Sequence, residues 1–149
     1  FDGEITWFPT AKELWWYFEF EAVTINGTDI NLCAQFPNGK CAAILDTGTS
    51  MLVGPTKYMD IVMKDVNIDA MCKDLDSNPT VGFVIGGTEF TLKPSEYVLD
   101  LEGQCMPAMM GMDLGIDFFI LGDTFLRKFY SVYDMNVGGV PRLGIALAK

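Results

Sequence analysis

A single carboxylate, that of Asp46, stands at the junction between an apolar stretch and a cluster of small polar residues. Residues 42–45 (AAIL) predict a short buried strand, and residues 47–50 (TGTS) bring two threonine hydroxyls and a glycine directly after it. Gly48 lets the backbone approach closely and donate an N–H to the carboxylate, and the threonine hydroxyls can hydrogen-bond to it. A carboxylate held in this way suits general acid-base chemistry, although Asp-Thr-Gly is also common in Asx-type turns without a catalytic role.

The composition excludes several other kinds of chemistry. The chain has no histidine, so Ser-His-Asp and Cys-His catalysis within the chain and His-ligated metal sites are excluded. We therefore predict no metal and no cofactor. The 149 residues are 50% apolar and 20% charged, which fits one domain with a packed core. The net charge of -10 and the lack of a basic stripe argue against nucleic-acid binding.

The four cysteines and the chain start bear on the cellular compartment. The cysteines lie at positions 33, 41, 72 and 105 without C-x-x-C spacing, which favours two structural disulfides and an oxidising compartment. Three connectivities are possible, and four buried free thiols in a reducing compartment are the alternative. No apolar run approaches the ~18 residues of a membrane span. The chain starts at Phe1 without a signal segment, so we expect a processed chain or one piece of a larger precursor.

The residue patterns predict a mainly β fold with a few short helices. A strand is predicted over residues 15–23, with Phe18, Phe20 and Ala22 on one face. The dipeptides Asn26-Gly27 and Gly86-Gly87 predict hairpin turns.

Further elements flank the segment around Asp46. Buried strands are predicted over residues 41–45 and 118–121. A helix is predicted over residues 56–66, with Tyr58, Ile61, Val62 and Val66 on one apolar face. Asp123 is predicted to cap a second helix that runs to Lys128.

Two motifs resemble a known family. Residues 43–50 (AILDTGTS), with residues 119–123 (FILGD) downstream, resemble the carboxyl-terminal lobe of a pepsin-family aspartic protease. The resemblance covers essentially residues 1–149 and implies one such lobe, mainly β and double-ψ β-barrel-like. Residues 120–122 match the apolar-apolar-Gly element that crosses behind the catalytic loop in the family. Residues 142–149 are similar to the ending of plasmepsin-like members, and cathepsin D-like members are the alternative subgroup.

The resemblance also implies the disulfide pairing and the roles of the residues around Asp46. Cys33 with Cys41, and Cys72 with Cys105, fall where the family places the small and large loop disulfides of this lobe. Asp46 would be one of two catalytic aspartates that flank a water. Thr47 would tie the two catalytic loops together, and Thr49 would steady the outer carboxylate oxygen. Residues 48–50, that is Gly48, Thr49 and Ser50, would meet an extended substrate backbone.

Four further residues match positions that line substrate subsites in the family. These residues are Trp15, Met112, Phe119 and Ile120. The alternative for each is packing in the core or at a junction between lobes. Substrate contact is the favoured interpretation for Met112 and Ile120, and neither interpretation is favoured for Trp15 and Phe119.

The main departure from the family is that this chain has one Asp-Thr-Gly. The resemblance therefore implies a partner, the amino-terminal lobe, that supplies the second aspartate. Three arrangements compete: a chain cut between lobes, a truncated fragment, or a symmetric homodimer, of which the homodimer is least favoured. Peptide or protein substrates, statine-type inhibitors and a secreted or acidic vacuolar location follow from the resemblance. A non-catalytic peptide-binding module is the alternative if the partner lobe lacks its aspartate.

One modification motif is also present. Asn26-Gly27-Thr28 matches the acceptor pattern for N-glycosylation, whereas Asn78-Pro79-Thr80 is excluded by its proline. Because Asn-Gly is also a favoured hairpin turn, the motif has a purely structural alternative.

Overall fold

The computed structural model describes residues 2–10, 16–36, 38–135, 139 and 141–148. Within these ranges the chain is mainly β, with two short α-helices, which confirms the predicted fold class. The strands are β1 (Asp2–Pro9), β2 (Tyr17–Phe20), β3 (Ala22–Ile25), β4 (Thr28–Asp29), β5 (Cys41–Leu45), β6 (Leu52–Gly54), β7 (Val81–Ile85), β8 (Thr88–Leu92), β9 (Val98–Leu101), β10 (Gln104–Pro107), β11 (Met109–Gly111), β12 (Phe119–Leu121), β13 (Phe129–Asp134) and β14 (Arg142–Leu147). The helices are α1 (Thr56–Val62) and α2 (Asp123–Leu126), with 3-10 turns at Cys33–Gln35, Leu75–Ser77 and Pro94–Glu96.

The strands form four sheets, of which the five-stranded one positions Asp46. Its order is β11-β6-β12-β5-β2. In its centre β12 runs parallel to β5 and antiparallel to β6. The others are a four-stranded sheet (β4-β3-β7-β8), a three-stranded sheet (β1-β14-β13) and a two-stranded one (β10-β9). Asp46 thus follows a strand that has a hydrogen-bonded neighbour on each side.

The prediction of one strand over residues 15–23 is wrong, because the described chain bends at Glu21. The strand before the bend, β2, pairs with β5, whereas β3 after it pairs with β7 in another sheet. Glu21 is exposed, and its carboxylate accepts a hydrogen bond from the backbone N–H of Gly87. After the bend Ala22 and Val23 are both buried, so the predicted alternation ends there. A strand covered on both faces cannot show the alternation of a half-buried strand.

Aromatic rings fill the core between the sheets. Phe20, Phe36 and Tyr58 surround Phe119, with ring centroids 5.9–6.5 Å from its own. A second cluster centres on Phe125, which contacts three further phenylalanine rings: Phe83, Phe90 and Phe129. The edge-on, tilted and stacked ring pairs at these distances add to the favourable free energy of burying the rings.

The two predicted hairpins are confirmed. Asn26 and Gly27 have φ of 51° and 79° between β3 and β4, and Gly86 and Gly87 have φ of 60° and 80° between β7 and β8. Two consecutive positive φ angles define the type I′ turn, which favours Asn-Gly and Gly-Gly.

Both predicted helices are shorter than expected, and their details differ. Helix α1 ends at Val62, and it buries Tyr58 and Met59, whereas Ile61 is exposed. The N-cap of α2 is Gly122, not Asp123, and no side chain caps it. Asp123 instead uses its backbone N–H to contact the loop after Asp46.

The structure contains both disulfides of the family pattern. Cys33 is joined to Cys41, which links a 3-10 turn to the start of β5. Cys72 is joined to Cys105 of β10, 33 residues further along the chain. Cross-links of this kind stabilise a fold mainly by restricting the unfolded chain.

Tyr97 supplies a prediction about stability at alkaline pH. Its side chain is fully buried, its hydroxyl donates to the Pro79 carbonyl at 2.8 Å, and burial raises its pKa to about 12. The pKa of Tyr97 is higher in the folded protein than its ordinary value near 10, so the neutral side chain contributes its full share to the free energy of unfolding below about pH 10. That contribution is lost as the pH rises towards 12. We expect Tyr97→Phe to cost about 1–3 kcal/mol at neutral pH through the unpaired Pro79 carbonyl. The variant should then lose less stability than the wild type between pH 9 and 11, measured by urea unfolding; parallel losses would contradict this assignment.

Candidate active site

Asp46 is placed by the end of β5. Its backbone N–H donates to the carbonyl of Leu121, the last residue of the parallel strand β12, at 3.2 Å. The register pairs Leu121 with Leu45 on one side and Leu52 on the other. The hydrophobic side chains of Leu45 and Leu121 are buried, whereas Asp46 is half-buried. The strand thus anchors the chain in the core and presents the next side chain at the edge of the sheet.

Both oxygens of the Asp46 carboxylate are held by donors from its own loop. Oδ1 accepts from the backbone N–H of Gly48 at 2.9 Å, and Oδ2 accepts from the Thr49 hydroxyl at 2.7 Å. A Cβ atom at Gly48 would lie 3.2 Å from Oδ1, so glycine allows this close approach. Hydrogen bonds to a charged acceptor are stronger than neutral ones, and together they set the direction of the carboxylate.

The segment after β12, residues 122–124, packs against the loop that follows Asp46. A Cβ atom at Gly122 would lie 2.2 Å from the carbonyl oxygen of Thr49, so the two chain segments cross in direct backbone contact. Beyond the crossing, the backbone N–H of Asp123 donates to the Thr49 carbonyl at 2.7 Å. The hydroxyl of Thr124 donates to the Ser50 carbonyl at 2.8 Å. The loop that orients Asp46 is therefore held in place by hydrogen bonds that the backbone carbonyls of Thr49 and Ser50 accept from Asp123 and Thr124.

Sequence reasoning missed Thr124. Its side chain is only 1% exposed, and its backbone N–H also donates to the Ser50 carbonyl, at 3.3 Å. The sequence pattern that could have revealed Thr124 is a hydroxyl residue two positions after Gly122, which follows a predicted strand, at the start of a predicted helix. That pattern predicts a hydrogen bond at a helix start, but it does not reveal which loop lies opposite.

The remaining predicted site residues are placed differently from one another. Thr47 and Ser50 are exposed, and the Thr47 hydroxyl has no hydrogen-bond partner among the described residues. Ile120 is half-buried in β12, between Ile44 of β5 and Val53 of β6. Roles for these residues in substrate contact or between loops stay predictions.

The other three predicted subsite residues are less directly connected with Asp46. Phe119 is 2% exposed and packs in the aromatic core, which favours the packing alternative over substrate contact. Met112 is 41% exposed and follows β11. Leu52 of β6 pairs with both Met109 of β11 and Leu121 of β12, so Met109 lies in the same row of the sheet as Leu121, the residue that bonds Asp46. Met112 comes three residues after Met109 and lies further from Asp46 along the strand direction. Trp15 lies outside the described residues.

One group of metal-ligand side chains occurs in the described part of the chain, and it does not resemble a metal centre. It consists of Cys72, Cys105 and Asp100. Both sulfurs are in one disulfide, so neither is a thiolate that could bind a metal. Among the described residues, none of the helices has the length and apolar character that crossing a membrane requires.

A mainly β fold in which one carboxylate is held at the crossing of two loops is the arrangement that the aspartic protease resemblance implies. The comparison with protein families agrees: the family described as "Eukaryotic aspartyl protease" matches residues 1–148. The chain therefore belongs to this family.

Similar proteins include three named proteases. The chain is 34% identical to gastricsin of Mus musculus over 158 residues, covering 98% of the chain and 39% of gastricsin. It is 36% identical to vacuolar protease A of Arthroderma otae over 157 residues, covering 100% of the chain and 37% of that protein. It is 34% identical to pepsin A of Sus scrofa over 145 residues, covering 90% of the chain and 36% of pepsin A. The chain thus spans well under half the length of these relatives.

Proposed function

We propose that this chain is the carboxyl-terminal lobe of an aspartic endopeptidase, in which Asp46 is one of the two catalytic aspartates. The observation that carries the proposal is the carboxylate held on both oxygens at the exit of β5, by Gly48 and Thr49. Family membership and the names of the relatives, gastricsin and pepsin A among them, support the reaction class.

The chemistry needs a second carboxylate that faces Asp46. Two carboxyl groups in contact cannot both ionise cheaply, so they share one proton; aspartic proteases are the standard example of this coupling. The ionised member takes a proton from the bound water as general base, and the protonated member polarises the scissile carbonyl. The donors from Gly48 and Thr49 keep the Asp46 carboxylate in one orientation while the proton moves.

The amino-terminal lobe is the proposed source of the second aspartate. The chain has one Asp-Thr-Gly and matches 36–39% of the length of three relatives, which is what a single lobe would match. The exposed hydroxyl of Thr47 is proposed to bond across the junction to the other catalytic loop. If the partner lobe lacks its aspartate, the pair would bind peptides without cleaving them.

Substrate is proposed to lie extended past the exposed loop 48–50. Gly48 and Ser50 are exposed there, and Ile120 is half-buried in β12, where it pairs with Ile44 of β5. Met112 is proposed as a more distant, adaptable apolar contact. Peptides and proteins are the proposed substrates.

The test is reconstitution with the amino-terminal lobe. The two lobes are mixed or co-expressed, and cleavage of a peptide is assayed at mildly acidic pH with and without a statine-type inhibitor. We expect cleavage only with both lobes, and inhibition because a statine mimics the tetrahedral intermediate. Full cleavage by this chain alone would contradict the proposed division of the site between lobes.

Thr49 offers a test of the held carboxylate. Thr49→Val keeps the shape but removes the hydroxyl that donates to Asp46 Oδ2 at 2.7 Å. A hydrogen bond to a charged group is worth about 1.5–3 kcal/mol, so we expect kcat to fall about tenfold or more. Thr49→Ser, which keeps the hydroxyl, is the matched control and should retain most of the activity. Equal activity of the two variants would show that this bond does not contribute.

A secretory route, ending outside the cell or in an acidic vacuole, is the proposed location. Two disulfides favour an oxidising compartment, and one similar protein is named a vacuolar protease. Plasmepsin-like or cathepsin D-like membership stays a prediction from residues 142–149 and the general resemblance.

A further inference from the structure

The acceptor motif Asn26-Gly27-Thr28 lies at the tip of a hairpin. Asn26 and Gly27 are the two central residues of the β3–β4 turn, and Thr28 begins β4. All three residues are exposed. Strand β4 is an edge strand of the four-stranded sheet, so one side of the hairpin carries no further strand among the described residues.

The side-chain amide of Asn26 is fixed through its oxygen. Oδ1 accepts from the backbone N–H of Thr80 at 3.0 Å, and the backbone N–H of Asn26 donates to the Thr80 carbonyl, also at 3.0 Å. Among the described residues, Nδ2 of Asn26 has no hydrogen-bond partner, and neither does the hydroxyl of Thr28. The oxygen of the Asn26 amide is therefore engaged with Thr80, whereas its nitrogen, Nδ2, stays free of hydrogen bonds within the described residues.

We propose that Asn26 is an N-glycosylation site that carries an oligosaccharide on Nδ2. In the transfer, a bond forms between Nδ2 and C1 of the first sugar, while the bond from C1 to the oxygen of a lipid-linked pyrophosphate breaks. Nδ2 loses one proton, and the lipid pyrophosphate leaves with the electron pair. The second Nδ2 hydrogen stays in place, and Oδ1 keeps its hydrogen bond to Thr80.

The turn geometry is compatible with the modification but does not account for the whole motif. A type I′ turn requires positive φ at its two central residues, which explains Asn26 and Gly27. It makes no demand on the following residue, whereas the acceptor pattern requires a hydroxyl there, and Thr28 supplies one. A glycan on Nδ2 would project from the exposed hairpin tip without displacing a described contact.

The proposal requires passage through the secretory lumen but does not depend on proteolytic activity. The disulfides Cys33–Cys41 and Cys72–Cys105 favour that route. The hairpin belongs to the β4-β3-β7-β8 sheet, whereas Asp46 follows a strand of the five-stranded sheet. Failure of this proposal would therefore leave the function of Asp46 untouched, and the reverse also holds.

The experiment is expression of the chain with a secretion signal in a eukaryotic host. A tag with its own acceptor sequon reports that each molecule has met the transferase. Mass spectra are compared before and after treatment with an N-glycosidase, which converts a glycosylated asparagine into aspartate. Three variants are made in parallel: Asn26→Asp keeps the oxygen acceptor for Thr80, Thr28→Ala removes the hydroxyl, and Thr28→Ser preserves the motif.

The expected result is a second glycan, beyond that of the tag, on the wild type and on Thr28→Ser. It should be absent from Asn26→Asp and Thr28→Ala, and the N-glycosidase should leave aspartate at position 26 of the wild type. A wild-type chain whose tag is glycosylated but whose Asn26 is unmodified would overturn the proposal. A second glycan that persists in Asn26→Asp would also overturn it.

Discussion

Asp46→Asn is expected to lower kcat of the reconstituted enzyme by about 10²–10⁴-fold, the usual contribution of a general acid-base group. Asparagine has nearly the shape of aspartate, and its side-chain oxygen can still accept from the Gly48 N–H that now bonds Oδ1 at 2.9 Å. It cannot take a proton from water or share one with a partner carboxylate. We therefore expect KM and thermal stability to change little, since Asp46 is half-buried at a sheet edge and not in the core.

The matched control separates the loss of this carboxylate from the loss of one negative charge. Asp60 is an exposed acidic residue on α1, and Asp60→Asn makes the same chemical change there. We expect the Asp60 variant to keep full activity, and Asp46→Ala to be as inactive as Asp46→Asn. Undiminished cleavage by either Asp46 variant, measured with the same partner lobe, would rule out the proposed role of Asp46.

The second large effect is expected from Gly122→Ala, which places a methyl group inside the loop crossing. The added Cβ would lie 2.2 Å from the Thr49 carbonyl oxygen and 2.6 Å from the Met51 carbonyl oxygen. Both neighbours are backbone atoms that cannot rotate away. The φ of Gly122 is -89°, which alanine adopts freely, so the whole cost comes from the collision. We expect a loss of at least about 3 kcal/mol in the free energy of unfolding, or failure to fold.

Gly103→Ala is the comparison for Gly122→Ala. Gly103 has φ of +86° and no atom within 4 Å of an added Cβ, so alanine there pays about 1–2 kcal/mol for backbone strain alone. Chemical unfolding of both variants measures the difference. A Gly122 variant as stable as the Gly103 variant would mean that the two loops can separate without loss of the fold. If the Gly122 variant folds, reduced activity would show that the crossing also positions Asp46.

Much of the local structure around Asp46 was predictable, because it depends on neighbouring residues in the chain. The strand Cys41–Leu45 has the predicted bounds, and the contacts of Gly48 and Thr49 with the carboxylate span two and three residues. Both type I′ turns follow from dipeptides that tolerate positive φ. Short-range hydrogen bonds of this kind need no knowledge of the rest of the fold.

The errors concern elements whose surroundings are distant in sequence. The chain bends at Glu21 because β2 and β3 belong to two different sheets. Their pairing partners are β5 (residues 41–45) and β7 (residues 81–85), which are distant in sequence. Helix α1 buries Met59 in place of Ile61 because its orientation is set by the sheet on which it packs. Phe119 is a different case: the sequence favours neither substrate contact nor packing for it, and the three aromatic rings from other elements that surround it favour packing.

The mainly β character, the two hairpin turns and the loop that holds the Asp46 carboxylate follow from residues that are close together in the chain. The family resemblance implies that residues 120–122 cross behind this loop, but the direct backbone contact of Gly122 with Thr49 and the support of the Ser50 carbonyl by the Thr124 hydroxyl are seen first in the folded chain. Ser50 and Thr124 are 74 residues apart in the sequence, so their contact depends on β12 lying between β5 and β6. Local preferences act over a few residues, whereas strand pairing selects which distant segments meet.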